Sequence, residues 1–522
     1  MYGKYMANTW QGYGYHLRAV WKKVSLFGQN NNNLYLCGQI ATFMIGRRIE
    51  QELLQEAVMK DRAQFIAVYG RRRVGKTFLV NEFFHNTYAF KHTAVSPVNE
   101  NLKPKRNLLR IQLKEFHYSL RSYGLQAGVP VPVDWFEAFH LLQQLLDAKS
   151  KDGFNRVIFL DELPWLDTPR SNFMPAFEHF CNDWVLARKD VKLVVCGSAT
   201  SWILDKLVYG KGGLYGRVTL SIPVEPFTLK ECREFFKEGG YAMDEYDIVY
   251  AYMAFGGIPY YLDQFRRGFS VPQNFDALLY GRQAPLRDEF DRLFSSQFAN
   301  PGELQKIVTL LAGKRSGYTR EEIAQKCGFT TGGGLTRMLS ALEKSTFVTP
   351  YIPFGESTVK HRLSDPFCMF YLKHVKDNCD VTTYWQSSFN SPAVLAWSGY
   401  AFEDVCRAHI RQIKNALGIG DVTTRESSWI VPGTETERGM QIDLVIDRDD
   451  RKICLCEMKF SQGKFSVSRD YAEKLQERIH RTMVFTGNSK PVISVLVTTY
   501  GIERNDYSNR FQKVVTMEDL FL

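Results

Sequence analysis

Gly70-Arg71-Arg72-Arg73-Val74-Gly75-Lys76-Thr77 follows the apolar run Gln64-Phe65-Ile66-Ala67-Val68-Tyr69 and leads into Phe78-Leu79-Val80-Asn81-Glu82-Phe83-Phe84. The stretch reads as strand, glycine-rich loop and helix, with G-x-x-x-x-G-K-[ST] spacing where a phosphate cradle requires it. Gly70 and Gly75 allow backbone angles and close approaches that a side chain would block. The loop N–H groups and the positive end of the new helix then face an anion. Lys76 can reach β- and γ-phosphates as a point charge, and the Thr77 hydroxyl can ligate magnesium. The nucleotide-binding set is therefore Gly70, Arg71, Arg72, Arg73, Val74, Gly75, Lys76, Thr77 and Phe78. The side chains of the three arginines are read as solvated or partner-facing rather than catalytic.

At 522 residues the chain is too long for one typical domain, so about three or four are expected. A hydrophobic fraction of 45% and a charged fraction of 23% belong to an ordinary soluble globular protein. A net charge of +10 suits nucleic acid as a partner and equally suits a mildly basic surface. Ten dispersed cysteines without C-x-x-C spacing read as reduced thiols, and hence as a cytoplasmic chain. No apolar run approaches the roughly 20 residues that span a bilayer, so no membrane segment is expected.

Residues 1–42 carry Lys4, Arg18, Lys22 and Lys23 without one acid, and a polar run from Gln29 to Asn33. They are read as a disordered basic arm or a non-native extension, with a natural start downstream, for instance at Met44. From residue 43 the pattern becomes regular. A helix over 49–59 precedes the strand at 64–69. Further strands are expected at 88–95, 157–160, 192–196 and 218–222, with helices over 101–122 and 134–148. Uninterrupted apolar strands separated by helices indicate a parallel sheet buried on both faces, with its ligand at the carboxyl ends.

Val157-Ile158-Phe159-Leu160 ends in Asp161-Glu162, the second half of the site. Asp161 is placed to hold the magnesium shell with Thr77. Glu162 can polarise the attacking water, and Lys76 neutralises charge, since phosphoryl transfer mostly needs positioning and charge neutralisation. Ser198 ends the next strand, either sensing a γ-phosphate or serving as a plain loop serine. Arg217 is either a transition-state arginine, supplied in cis or by a neighbouring subunit, or a surface arginine.

Past the sheet, Thr228 and Glu231 form a capping box, and helices are expected over 229–238 and 245–254. Gly256-Gly257 stops the second, and Pro259 suits the start of a third, in the manner of a small helical lid. Ile45-Gly46-Arg47, Gly70 to Thr77, Phe159 to Trp165, Gly197-Ser198, Leu214 to Arg217 and Gly256 to Pro259 together resemble the archaeal-type ATPase family, a STAND-like relative of the AAA+ ATPases. The resemblance covers about residues 43–290. It implies ATP, an adenine rather than a guanine nucleotide, with Gly46 and Arg47 near the base and Gly257-Ile258-Pro259 in the lid.

Residues 301–364 read as three helices, at 303–312, 319–327 and 334–344, and a two-strand wing over 348–363. This unit resembles a winged helix-turn-helix, with Thr336, Arg337 and Ser340 on the exposed part of its recognition helix. DNA contact and a lid or packing role are both open to it. Residues 365–389 read as a helical linker.

In 390–522, Glu403 lies on a helix running to about Leu417, Asp443 in the strand-like run 439–446, and Glu457-Met458-Lys459 in the next strand. Glu457 and Lys459 share one strand face amid apolar neighbours, where an isolated charge is costly. Asp443 and Glu457, with Glu403 nearby, could bind one magnesium, and Lys459 could orient the attacking water. The spacing resembles the PD-(D/E)XK nuclease superfamily, although Ile442 stands where that family usually has proline. Tyr471 and Gln476 on the following helix either complete the site or pack.

The expected architecture is α/β throughout. A P-loop sheet occupies 43–225 and a helical lid 226–300. A winged helix spans 301–364, and a restriction-endonuclease-like domain closes the chain. The expected function is a Mg-dependent ATPase coupled to a DNA-directed nuclease-like domain, with ATP-dependent homo-oligomers as candidates. The alternatives are an ATP-gated regulator that binds DNA or protein without cutting, and a signalling scaffold.

Overall fold

Five of the six residues Gln64–Tyr69 are buried, and this strand, β1, is sandwiched in a parallel sheet. The computed structural model describes residues 44–96, 108–148, 156–298, 300–435 and 438–522. The basic arm expected over 1–42 lies outside them, as does the first part of the helix expected over 101–122. Everything below lies within Ile45–Leu522, which forms one unit.

The sheet comprises β1, β2 (Phe90–Thr93), β3 (Arg156–Asp161), β4 (Val191–Gly197) and β5 (Leu220–Pro223), in the order β2-β3-β4-β1-β5 with all neighbours parallel. All seven residues of β4 are buried, as a strand covered on both faces requires. Because β4 separates β1 from β3, Ser198 emerges between the phosphate loop and the Asp161-Glu162 pair. One face is covered by helices Leu108–Ser122, Trp135–Ala148 and Phe173–His179. Phe116, Trp135, Phe139, Phe173, Phe177 and Phe180 interlock there. Each such ring contributes about 1.5–3 kcal/mol by leaving water.

Helices Leu229–Glu238, Glu245–Phe255 and Pro259–Leu262 follow. Thr228 and Glu231 form the capping box at the start of the first. Gly256 and Gly257 both take positive φ, 63° and 62°, which ends the second. At Gly257 a Cβ would lie 2.1 Å from the Phe227 carbonyl oxygen, so only glycine fits. Phe227 N–H donates to the Gly257 carbonyl at 2.7 Å, stitching the turn to the sheet exit.

Helices Pro301–Ala312, Arg320–Cys327 and Gly333–Lys344 accompany a small antiparallel sheet of β6 (Tyr318–Thr319), β7 (Val348–Tyr351) and β8 (Lys360–Leu363), ordered β6-β8-β7. Thr319 caps its helix through a capping box, and Gly328 ends it with φ 68°. Short helices at Pro366–Phe370 and Tyr384–Ser388 lead to Pro392–Ala408.

The last five strands are β9 (Thr424–Val431), β10 (Met440–Arg448), β11 (Lys452–Lys459), β12 (Val492–Thr498) and β13 (Lys513–Thr516), in the order β13-β12-β11-β10-β9. The β9–β10–β11 neighbours are antiparallel and the β11–β12–β13 neighbours parallel. The helix expected to run from Glu403 to about Leu417 breaks at His409 into Pro392–Ala408 and Ile410–Ala416. At the break the His409 imidazole is held on both sides: Nδ1 donates to the Val405 carbonyl at 2.9 Å, and Nε2 accepts Leu229 N–H at 3.0 Å. Phe460, directly after β11, stacks on Tyr246 of helix Glu245–Phe255 at 4.7 Å, and Tyr500 lies 6.0 Å from the same ring.

Among the described residues no helix is long and apolar enough to cross a membrane. The nine described cysteines are free thiols, eight of them buried.

Candidate nucleotide site and a second carboxylate cluster

The loop Gly70–Gly75 is shaped by two glycines for different reasons. Gly70 has φ 150°, and a Cβ there would lie 2.2 Å from the Val224 carbonyl oxygen. Gly75, the residue preceding helix Lys76–Phe83, has open space around it but φ 90°, which a side chain resists. Lys76 is buried, and its Nζ donates to the carbonyls of Gly70 at 2.9 Å and Arg71 at 2.8 Å. The ammonium is thereby held inside the turn of the loop. Thr77 Oγ1 donates to the Asp161 carboxylate, 3.0 Å from Oδ2. Burial, and then the neighbouring Glu162, push the Asp161 carboxyl above its ordinary value, while Thr77 and Lys76 pull the other way. A buried, undercompensated carboxylate beside a threonine hydroxyl fits a hard divalent cation.

Glu162 takes a left-handed conformation, φ 50°, at the sharp exit from β3. Its Oε2 accepts both the Ser198 N–H and the Ser198 hydroxyl, each at 3.0 Å. The Ser198 carbonyl in turn accepts Gln297 Nε2 at 3.3 Å. The geometry gives Ser198 a partner that neither of its two readings suggested, the Glu162 carboxylate.

The loop arginines correct an expectation. Arg71 is buried, not solvated: its NH1 pairs with Asp365 Oδ2, and its guanidinium lies 4.8 Å over the Phe347 ring. Arg73 makes a two-pronged pair with Glu289, at 2.9 and 3.1 Å, over the Tyr260 ring at 4.0 Å. Two carboxylates from distant segments, each about 1% exposed, claim these side chains. Both arginines therefore reach the cradle through their backbone. Arg72 stands between them with no partner among the described residues; burial and Arg73 lower its pKa, and Glu162 opposes this.

Gly46 and Arg47 sit beside the loop. Arg47 NH2 donates to the Val74 carbonyl at 3.0 Å, and its backbone N–H donates to Glu231 at 3.0 Å. At Gly46 a Cβ would come within 2.5 Å of the same Glu231 carboxylate. Pro259 opens the short helix whose next residue, Tyr260, donates its N–H to the Arg73 carbonyl at 3.4 Å. Phe78 is 45% exposed beside the cradle. Arg217 is exposed on a turn, and its guanidinium pairs with no carboxylate among the described residues. It does not join the loop within this chain.

In the C-terminal sheet, Asp443 lies within a register shift between Ile442 and Val445. Its Oδ2 accepts the Met458 N–H of β11 at 3.1 Å. Lys459 Nζ stands 3.8 Å from Asp443 Oδ2 and 3.8 Å from Glu457 Oε2. Burial, then Glu457, raise the Asp443 pKa, with Lys459 and the Met458 amide opposing. Tyr471 joins the cluster, donating to Glu457 Oε2 at 2.8 Å; Gln476 is exposed and does not. Arg478, which sequence reasoning missed, donates to Glu457 Oε1 at 2.6 Å. It lies seven residues after Tyr471 on helix Arg469–Phe485, two turns on and on the same face, which is the signal that could have found it.

The expected convergence of Glu403, Asp443 and Glu457 on one ion is not what this structure forms. Among the described residues no group of three or more His, Cys, Asp and Glu side chains is gathered to hold a metal. The physical reason is competition. Arg407 takes Glu403 Oε2 at 2.8 Å, and Arg315, from the turn before β6, takes it at 3.1 Å. Glu457 already accepts from Arg478 and Tyr471. As arranged, these carboxylates do not fit a bound cation.

Residues 45–265 match the family described as an ATPase domain predominantly from Archaea. The chain is 25% identical over 453 residues to an uncharacterised protein of Methanocaldococcus jannaschii, covering 85% of this chain and 92% of that one. An uncharacterised ATP-binding protein of the same organism is 43% identical over 42 residues, 8% of this chain and 71% of its own. Among solved structures, the Walker-type ATPase of Pyrococcus abyssi aligns with 63% of this chain and 96% of its own length, at 18% identity and a TM-score of 0.43.

Proposed function

We propose that the chain is an ATP-binding, Mg-dependent ATPase whose nucleotide state sets the arrangement of its lid and C-terminal modules. The observation that carries this is the Thr77–Asp161 contact at 3.0 Å, with Lys76 held in the loop and Glu162 held by Ser198. The match of residues 45–265 to an ATPase family supports the same reading. Thr77 and Asp161 would hold the magnesium, which supplies charge neutralisation at the phosphates. Lys76 and the loop amides bind the β- and γ-phosphates, and Glu162 orients the attacking water. Arg217, exposed and unpaired, suits a role between copies of the chain. Free, mostly buried thiols support a reducing, cytoplasmic setting. The test is nucleotide binding and turnover: Lys76→Ala abolishes ATP binding, whereas Glu162→Gln binds ATP and does not hydrolyse it. Unchanged turnover in both variants sinks the reading.

We further propose DNA as the partner of the downstream modules, engaged as by an ATP-gated regulator. Helix Gly333–Lys344 with the β7–β8 wing supports a winged-helix reading, and the net charge of +10 agrees. A second reading, Mg-dependent cleavage, is favoured by Lys459 standing 3.8 Å from both Asp443 and Glu457. As arranged the carboxylates do not fit a cation, so this reading requires Arg315 and Arg407 to release Glu403, and Arg478 and Tyr471 to release Glu457. Plasmid cleavage with magnesium or manganese that rises in Arg315→Ala and vanishes in Asp443→Ala supports it; intact plasmid in every variant sinks it.

A further inference from the structure

A small cleft of about 40 Å³ lies between the β8 strand and the C-terminal sheet, lined by Arg315, Arg362, Arg407, Glu403, Asp404 and Asp443, among others. Its three guanidinium groups and three carboxylates do not pair one to one. Arg315 and Arg407 both pair with Glu403, and both contact Asp404, at 4.0 and 2.6 Å. The Asp443 carboxylate is turned to the Met458 amide and Lys459, and only its main-chain carbonyl meets Arg407, at 3.5 Å. Three guanidinium groups thus share two carboxylates. The one left over is Arg362.

Arg362 lies on β8, opposite Thr349, with its guanidinium 4.7 Å over the Tyr351 ring. It forms no ion pair or side-chain hydrogen bond with any described residue. Burial, and then the charge of Arg407, push its pKa down to about 10, with Asp404 and Tyr351 only partly opposing and Arg315 adding to the repulsion. Arg362 is half-buried, and a guanidinium there without a paired counter-charge would gain one from an anion entering the cleft. A guanidinium is also the side chain suited to phosphate, because its planar fork offers paired N–H donors.

We propose that this cleft is a phosphodiester site, in which Arg362 binds a backbone phosphate of a DNA strand laid between the β7–β8 wing and the Asp443 cluster. The proposal rests on the DNA-partner reading above. It differs from recognition-helix docking, which would place DNA on the exposed Arg337 face. Arg315 and Arg407 rim the same phosphate but stay shared with Glu403, so Arg362 carries the contact.

The experiment measures binding of a fluorescein-labelled DNA duplex, and of its single strand, to the full chain by anisotropy in EDTA across 50–300 mM salt. Wild type is expected to bind, with affinity falling steeply as salt rises. Arg362→Ala is expected to weaken binding about tenfold and to reduce the salt slope by about one. Arg362→Lys is expected to keep the slope. Thermal melting without DNA serves as the folding control: an uncompensated cation predicts that Arg362→Ala melts no lower than wild type. A lower melting temperature in that variant assigns Arg362 a structural role and overturns the proposal. Wild-type binding that Arg362→Ala leaves unchanged overturns it while sparing the DNA reading, as does loss of binding confined to Arg337→Ala. No binding by wild type overturns both. If orthophosphate raises the melting temperature of wild type alone while DNA binding ignores the substitution, the site takes free phosphate and the strand proposal falls.

Discussion

Arg71 of the phosphate loop is paired with Asp365, 294 residues later, and both side chains are almost wholly buried. Asp365 also caps its own helix, accepting the Cys368 N–H at 2.7 Å. The loop is therefore anchored to the segment that leaves the β7–β8 wing. Removing one member of a buried pair strands a charge, at a cost of about 3–5 kcal/mol. Arg71→Ala and Asp365→Ala are each expected to lower the melting temperature clearly. Asp365→Asn, which can keep the cap, should lose less than Asp365→Ala; equal losses in all three would deny the pair its role.

Glu162 and Ser198 should separate by magnitude. A positioned carboxylate that orients water contributes about 10²–10⁴-fold to turnover. Glu162→Gln is expected to lose at least the lower end of that range with ATP affinity kept. Ser198→Ala, which removes one of two bonds to Glu162 Oε2 and leaves the backbone N–H, should cost less than tenfold in kcat and leave KM unchanged. Steady-state phosphate release measures both. A larger loss in Ser198→Ala than in Glu162→Gln contradicts the assignment.

Acid should weaken the fold through buried histidines. Burial pushes His409 down to about 4, as it does His92 and His374. Below the ordinary value of about 6.5 the unfolded chain binds protons that the folded chain refuses, so stability falls as pH drops from about 6.5 toward 4. Protonated His409 would also lose its acceptor for Leu229 N–H. The melting temperature is expected to decline across that window, and His409→Gln to decline less steeply. A melting temperature flat between pH 7 and 4.5 excludes this.

Gly257→Ala tests the close turn against Phe227. A methyl group 2.1 Å from the Phe227 carbonyl, at a φ of 62°, forces the two strands of the turn apart. The expected result is a lower melting temperature and a raised KM for ATP, because the displaced segment leads directly to Pro259 and Tyr260 beside the loop. Gly75→Ala is the contrast, since it meets no atom and carries only the strain of φ 90°. Wild-type behaviour in Gly257→Ala would show that the close approach relaxes freely.

The phosphate loop, the Asp161-Glu162 strand end and the capping boxes at Thr228 and Thr319 were legible because each is local. Spacing over four to eight residues determines what the backbone does there. Asp443, Glu457 and Lys459 were legible for a similar reason: polar residues inside apolar strands are conspicuous. Glu289, Asp365 and Arg315 were not. Each meets its partner across 88 or more residues, and nothing in the local text distinguishes them from surface charges. The misplacement of Glu403 follows only in part from the same blindness: Arg315 is distant in sequence, but Arg407, which takes the carboxylate at 2.8 Å, lies one helical turn on. His409 looked like one more residue in a continuous helix, because the Leu229 amide that its ring accepts lies 180 residues earlier.

The stack of Tyr246, Phe460 and Tyr500 has a mechanical meaning. Phe460 is covalently next to Lys459, and Tyr500 lies two residues past the end of β12, so the two strand tips rest on one ring of helix Glu245–Phe255. That helix ends at Gly256-Gly257, immediately before the segment that touches the phosphate loop. The aromatic stack and the glycine pair therefore lie at opposite ends of one helix, which joins the neighbour of Lys459 to the turn beside the loop.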